Sequence, residues 1–252
     1  MVTAVIPAHG RVELLQRAID SVLAQRDCEV ELIVVDDGSG LELEGPYQVL
    51  RQPRQGPGPA RNLGARHGRG EWLALLDSDD VWEPDKCRSQ LDYLVAGGFR
   101  AGLTQEWWIR SGKRAEPPLR YRPDQGELLE RTASTLCVSC SSLMIERDFF
   151  WQLGGFDPRL FVCEDYEFAL RLCAATRLGV VEQRLTTKYG GHPVQLSRQV
   201  PALDRLRLMA LLEHIEQFPK LRAAALEKVR ILVTGAAKRA APGRAIYERV
   251  ED

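Results

Sequence analysis

The sequence predicts an α/β fold: a mixed, mostly parallel sheet flanked by helices, with a helical tail at the carboxyl end. Three observations carry that expectation. Residues 2–6, 30–35 and 71–76 are short apolar runs with little polar alternation, which suits strands covered on both faces. The first two are separated by a stretch of helical periodicity, and strand, helix and strand at this spacing form a βαβ unit with a right-handed crossover. Two of the runs stop abruptly at clustered carboxylates, Asp36-Asp37 and Asp77-Ser78-Asp79-Asp80.

In chain order, residues 2–6 form the first strand. After Pro7 and Gly10, a helix puts Leu14, Leu15, Ala18, Ile19, Val22 and Leu23 on one side. Residues 30–35 form the second strand and residues 47–51 a shorter third. A glycine- and proline-rich loop, 55–59, feeds a helix carrying Ala60, Leu63, Gly64 and Ala65. The strand at 71–76 precedes a helix opened by Pro84 and closed by Gly97-Gly98. Residues 101–109, with the turn at 110–113, read as a hairpin or sheet edge. The second half is less regular: a strand at 141–145, a short helix at 147–153, a turn at 154–158, and a helix at 164–176 whose first turn is acidic. Two short strands follow at 180–181 and 186–189. Beyond Pro201 come two helices interrupted near Pro219, with apolar positions Leu206, Met209, Leu212, Ile215, Leu221, Leu226, Val229 and Leu232. No internal repeat or long linker divides the chain, so one domain over residues 1–200 with a helical extension over 201–252 is the expectation.

The 252 residues are enough to bury a substantial core, and a net charge of −1 argues against a basic nucleic-acid binder. No run approaches the ~18 apolar residues of a membrane span, and the first residues lack the basic and apolar regions of a secretory signal. The expected location is the cytoplasm. Cys137 and Cys140 form a lone CxxC without the further ligands of a zinc site, and read as small residues in or beside a sheet.

Open α/β sheets bind ligands beyond the carboxyl ends of their strands, so both acidic clusters belong to one functional rim. Unpaired carboxylates there repel one another, and a hard cation relieves that repulsion. The runs VIPAHGRVELLQRAIDSVLAQ, ELIVVDDGSG, GPGPARNLGARHGRGEWLALLDSDDVW, GGFDPRLFVCEDYEF and GGHPVQLSR, in this order, cover roughly residues 2–198. With them the chain resembles the family 2 glycosyltransferases of GT-A fold.

That resemblance implies an inverting enzyme that moves a sugar from a nucleotide diphosphate donor, UDP-linked by family frequency, to a hydroxyl acceptor. It divides the domain into a nucleotide-sugar half, 1–100, and an acceptor half, 101–200. Pro7 and His9 fall at the rim of the base pocket, Asp37 on the base with Asp36 beside it, and Arg61 near the ribose or phosphates. Asp77 lies toward the ribose with Ser78 next to it, Asp79 on Mn²⁺ or Mg²⁺, and His192 near the metal or diphosphate. Asp165 is the expected general base and Glu164 its partner. Asp80 is expected to orient the following loop, and residues 154–157 to line the acceptor side. Trp107 and Trp108 point to opposite faces, which offers one to an acceptor sugar.

Two departures stand out. Ala8-His9-Gly10 replaces the family's aromatic and asparagine, which leaves the base open. Gln195 and Arg198 are followed by Gln199 rather than tryptophan, which favours single transfer over chain extrusion. Cell-surface polysaccharide, lipopolysaccharide and glycolipid are the expected products. The basic tail (Lys220, Arg222, Lys228, Arg230, Lys238, Arg239, Arg244) suits packing on its own domain, a homodimer, or peripheral contact with a membrane bearing lipid-linked acceptors. The alternatives are a non-catalytic nucleotide-sugar binder and a nucleotidyltransferase. The latter expects a glycine-rich basic loop where PAHGRVE stands. A NAD-binding domain is excluded by the lack of GxGxxG after the first strand.

Overall fold

A computed structural model describes residues 1–110, 112–190 and 203–239. His192, the Gln195–Arg198 stretch and Arg244 lie outside the described residues, as do the side chains of Lys238 and Arg239. Among the described residues nine strands form one mixed sheet: β1 (Val2–Ala8), β2 (Val30–Asp37), β3 (Gln48–Gln52), β4 (Trp72–Leu75), β5 (Val81–Trp82), β6 (Ala101–Arg110), β7 (Lys113–Ala115), β8 (Met144–Glu146) and β9 (Gly179–Gly190). Their order is β3-β2-β1-β4-β8-β6-β9-β5, with β7 paired to β6 alone. The first four are mutually parallel, β8 runs against both β4 and β6, and β5 runs against β9. The chain leaves β1 on one side for β2 and β3, then returns on the other side as β4. The crevice between the carboxyl ends of β1 and β4 is therefore a topological switch point, where such sheets bind ligands.

Strand alternation divides the core into two layers. Val2, Ala4, Ile6, Leu32, Val34, Ala74 and Leu76 face α1 (Val12–Leu23) and α3 (Lys86–Gly97). Val5, Ile33, Val35, Leu73 and Leu75 face α2 (Pro57–His67), α5 (Arg147–Gln152) and α6 (Glu164–Ala175). Gly64 lets α2 lie directly on the sheet, because a Cβ there would stand 2.4 Å from Val5 Cγ1. That close approach fixes how far Arg61, one turn earlier, reaches toward the rim.

Several elements differ from the sequence reading. Pro84 lies two residues ahead of α3, separated from it by a turn in which the Lys86 amide donates to the Glu83 carbonyl. The strand expected at 141–145 begins only at Met144, as β8, and Cys140–Ser142 is a 3-10 turn. The two short strands near 180 and 188 are one strand, β9. Its register against β6 shifts at Gln105, where polar Glu182 and Gln183 are skipped, and that polar break hid the continuity. The six-residue helix α4 (Leu129–Ser134) and the two-residue β5 are too short to carry a period.

The carboxyl-terminal helices α7 (Leu203–His214) and α8 (Arg222–Arg239) pack on α4 and α6. Leu208, Leu211, Leu221, Ala225, Val229 and Leu232 bury against Ala133, Cys163, Tyr166 and Leu170. Of the apolar positions, Met209, Leu212 and Leu226 are exposed, and on α7 the buried face is centred on Leu208 and Leu211. Lys228 is buried too: its Nζ donates to the Ser134 carbonyl at 3.1 Å and pairs with Asp204. Among the described residues no helix is long and apolar enough to cross a membrane. All six cysteines are free, and Cys137 and Cys140 are packed in the core.

Candidate active site

The acidic end of β2 is held by neutral donors. Asp36 accepts the Ser39 amide (2.9 Å) and hydroxyl (2.5 Å) on Oδ1 and the Leu41 amide (3.0 Å) on Oδ2. Burial pushes its carboxyl up, but these bonds outweigh burial and hold it below the usual carboxylate range. Asp37 accepts Gln52 Nε2 (2.7 Å) and the Gln55 amide (2.8 Å) on Oδ1, and the Gly56 amide (2.8 Å) on Oδ2. It thereby anchors the loop into α2. Ser39 Oγ also accepts the Gly10 amide at 2.9 Å, and His9 Nδ1 lies 2.8 Å from the Asp37 carbonyl. That carbonyl can only accept, so His9 carries its proton on Nδ1. Pro7 is buried within β1, opposite Val35. The β1–α1 turn is thus stitched to the end of β2.

The acidic end of β4 is held by cations. One carboxylate oxygen each from Asp77, Asp79 and Asp80 lies within 4.8 Å of the others. Asp77 Oδ1 receives Arg61 Nη2 at 2.6 Å, and Asp79 Oδ2 receives Arg11 Nη1 at 2.8 Å. Asp80 faces Lys188 Nζ at 3.7 Å and accepts the Ser141 hydroxyl (2.6 Å) and the Tyr189 amide (2.9 Å). Burial, foremost, with Asp77 and Asp79 nearby, pushes the Asp80 carboxyl up to about 8 against the pull of Lys188. Asp77 is pushed up by burial as well, but Arg61 and Lys188 overcome this and hold it low. Lys188 stays charged: burial works against its charge, but Asp80, Glu106 and Asp77 outweigh it. Ser78 is buried, and its hydroxyl accepts Arg11 Nη2 at 3.1 Å.

Arg61 is buried. One end of its guanidinium pairs with Asp77 and the other with Glu164 Oε1 at 2.8 Å, over the ring of Phe156. It joins the end of β4 to the start of α6. Glu164 is buried, and burial first, with Asp165 adding and Arg61 opposing, pushes it up to about 7. Asp165 is more open and accepts the Tyr166 amide at 2.7 Å. The buried Cys140 thiol is pushed up by burial, with Asp77, Asp165 and Glu164 adding and Arg61 opposing. The loop 154–157 is pinned by Asn62, whose side chain bonds both the amide and the carbonyl of Phe156.

The structure thus brings Asp77, Ser78, Asp79, Asp80, Arg61 and Glu164 into one connected set. It adds three residues the sequence did not single out: Arg11, Lys188 and Ser141. Arg11 stands in the PAHGRVE stretch and was visible there as a lone cation. Ser141 and Lys188 carried no signal, because a 3-10 turn and a strand edge place them. Arg11 sits at φ 56 in the left-handed region, directly after Gly10 at φ 65. For an arginine this costs about 1–2 kcal/mol. Its side chain caps no helix amide and reaches Asp79 and Ser78 instead. Trp107 and Trp108 do point apart, and both are partly exposed. Arg114 and Arg184 lie over the Trp107 ring, whereas Trp108 donates to Glu106 Oε2 at 2.9 Å and packs on Tyr121. A cavity of about 580 Å³ lined by Met1, Glu31, Tyr47 and Arg69 lies at the opposite rim, away from the clustered carboxylates.

An all-oxygen carboxylate set suits a hard cation such as Mg²⁺ or Mn²⁺. The family model "Glycosyl transferase family 2" matches residues 3–154. The chain is 39% identical over 111 residues to "Succinoglycan biosynthesis protein ExoO" of Rhizobium meliloti, covering 40% of this chain and 32% of the relative. It is 26% identical over 187 residues to an "Uncharacterized glycosyltransferase" of Haemophilus influenzae, covering 68% and 62%. The chain therefore spans less than two thirds of either relative. Among solved structures it superposes on "S. aureus TarS 1-349 in complex with UDP-GlcNAc" with a TM-score of 0.72 and 18% identity, over 90% of this chain and 72% of that one. At that identity the likeness speaks to fold, and it is a GT-A-type mixed sheet flanked by helices.

Proposed function

The chain belongs to glycosyl transferase family 2, and from that premise we propose that it transfers a sugar from a nucleotide diphosphate, with inversion, to a hydroxyl acceptor. The observation that carries this reading is the acidic set Asp77, Asp79 and Asp80 at the β1/β4 switch point, each carboxylate facing a protein cation. The nucleoside lies across the ends of β1 and β2, with Pro7, His9 and Asp37 around the base. Asp36 serves it indirectly by holding the turn. Asp77 and Ser78 face the ribose side, and Arg61 keeps Asp77 and Glu164 at fixed separation.

Asp79 holds a divalent cation, Mn²⁺ or Mg²⁺, with His192 as a further candidate ligand. Bound there, a divalent cation would supply positive charge to offset that of the leaving nucleoside diphosphate. Asp165, the more open member of the pair, accepts the acceptor's hydroxyl proton, while Glu164 and Arg61 keep the start of α6 in place. UDP is the proposed nucleotide, supported by the solved relative's UDP-GlcNAc complex. A cell-surface polysaccharide or related glycan is the proposed product class, supported by the name of the Rhizobium relative. The exposed Met209, Leu212 and Leu226 on α7 and α8 leave peripheral membrane contact or a homodimer as the proposed use of the tail. A screen of UDP-, GDP-, CDP- and dTDP-sugars with Mn²⁺, reading nucleoside diphosphate release, tests the reaction. One nucleotide class should be turned over, and only with the cation. Consumption of a nucleoside triphosphate with pyrophosphate release instead would replace this reading with a nucleotidyltransferase.

A further inference from the structure

Arg11 holds the very carboxylate that the donor-site reading gives to the cation. Its guanidinium forks, with Nη1 at 2.8 Å from Asp79 Oδ2 and Nη2 at 3.1 Å from Ser78 Oγ. The backbone that aims it is strained at φ 56 and is fixed from both sides. The Gly10 amide is tied to Ser39, and the Arg11 carbonyl accepts the Leu15 amide at 3.0 Å inside α1. The pair is reachable, with the Arg11 side chain 28% and the Asp79 side chain 15% exposed. A guanidinium and a divalent cation on one carboxylate repel each other across a few ångströms.

We infer that Arg11 is a latch on the metal carboxylate, one that a cation alone opens poorly and a cation with a nucleoside diphosphate opens well. The inference rests on the donor-site reading above. A bare cation displaces the guanidinium and leaves it without an anionic partner. A diphosphate arriving with the cation brings phosphate oxygens that pair with it by charge-assisted bonds. Cation and nucleotide therefore each raise the affinity for the other, and the coupling is the same in both directions. Arg11 is a positioning residue in this scheme: it sets the order of assembly and keeps Asp79 aligned while the site waits.

The test is Mn²⁺ binding to the whole protein, read from the electron paramagnetic resonance of free Mn²⁺. It is run on wild type, Arg11→Ala and Arg11→Lys, without nucleotide and with UDP, GDP, CDP and dTDP in turn, after circular dichroism shows each variant folded. Without nucleotide, Arg11→Ala should bind Mn²⁺ about two- to fivefold more tightly than wild type, a shift of the size that releasing one partly exposed ion pair gives. The tightening of Mn²⁺ by the best nucleotide should shrink correspondingly. Arg11→Lys keeps the charge but cannot fork across Asp79 and Ser78, and should move most of the way toward Arg11→Ala. Equal Mn²⁺ affinity in wild type and Arg11→Ala, or wild-type behaviour of Arg11→Lys, overturns the latch; if a nucleotide still tightens Mn²⁺, the donor site survives. Failure of every protein to bind Mn²⁺ with any nucleotide overturns the donor site and the latch together.

Discussion

The acidic ends of β2 and β4 share one rim and nearly the same sequence pattern, yet they are satisfied by different partners. Asp36 and Asp37 receive amides, a hydroxyl and a glutamine, all neutral and mostly from the chain within twenty residues. Asp77, Asp79 and Asp80 face Arg61, Arg11 and Lys188, which come from α2, the β1–α1 turn and β9. Backbone amides are fixed donors, so the first end is built to hold shape. Cations from distant elements balance charge, and one charge can be exchanged for another. The difference teaches that two acidic strand ends with nearly the same sequence pattern can be satisfied in two ways, by fixed neutral donors or by exchangeable charges.

The largest expected effect breaks the cationic end at its most buried point. Arg61→Met leaves Asp77 and Glu164 without their shared partner and should cost about 3–5 kcal/mol of stability, read by urea denaturation. A loss under about 1 kcal/mol would show the pairs to be as weak as exposed ones. Next, Asp79→Asn should lower cation-supported transfer by about a hundredfold or more while leaving the urea midpoint unchanged or higher, because it removes repulsion in the cluster. At the other end, Asp36→Ala should reverse that pattern. Its cost of about 2 kcal/mol in stability reflects lost bonds to an ionised group, and nucleotide affinity per folded molecule should change little. A selective loss of nucleotide affinity with stability intact would make Asp36 a ligand residue and erase the comparison.

The smallest effect concerns pH. Burial raises Glu164 from its ordinary 4.5 to about 7, so between those values the folded state binds more protons than the unfolded one. The stability this group contributes is complete below about pH 4.5 and is lost as pH rises to about 7. Glu164→Gln should therefore flatten the fall in urea midpoint between pH 5 and pH 7.5. An unchanged slope would place the titration on another group.

Much of this was legible in the sequence, for identifiable reasons. Doubly buried strands and the amphipathic α1 follow from apolar runs and a 3.6 period, and both acidic strand ends are plain in the letters. The partners of those acids were not, because Arg61 meets Glu164 across 103 residues and Asp80 meets the Tyr189 amide across 109. Arg61, expected near the ribose or phosphates, is a buried link between two carboxylates. No local pattern encodes that. The buried face of α7 was not legible for a related reason: Met209 and Leu212 fit a helical stripe as well as Leu208 and Leu211, and only the docking against Tyr166 and Leu170 decides between them.

The most direct measurement is the anomalous scattering of Mn²⁺ in crystals grown with the nucleoside diphosphate that binds best. The account predicts one manganese bonded to an Asp79 carboxylate oxygen, bridging to the diphosphate, with the neutral-donor shell of Asp36 unchanged. A manganese at the end of β2, or a bound nucleotide with no metal near Asp79, would contradict it.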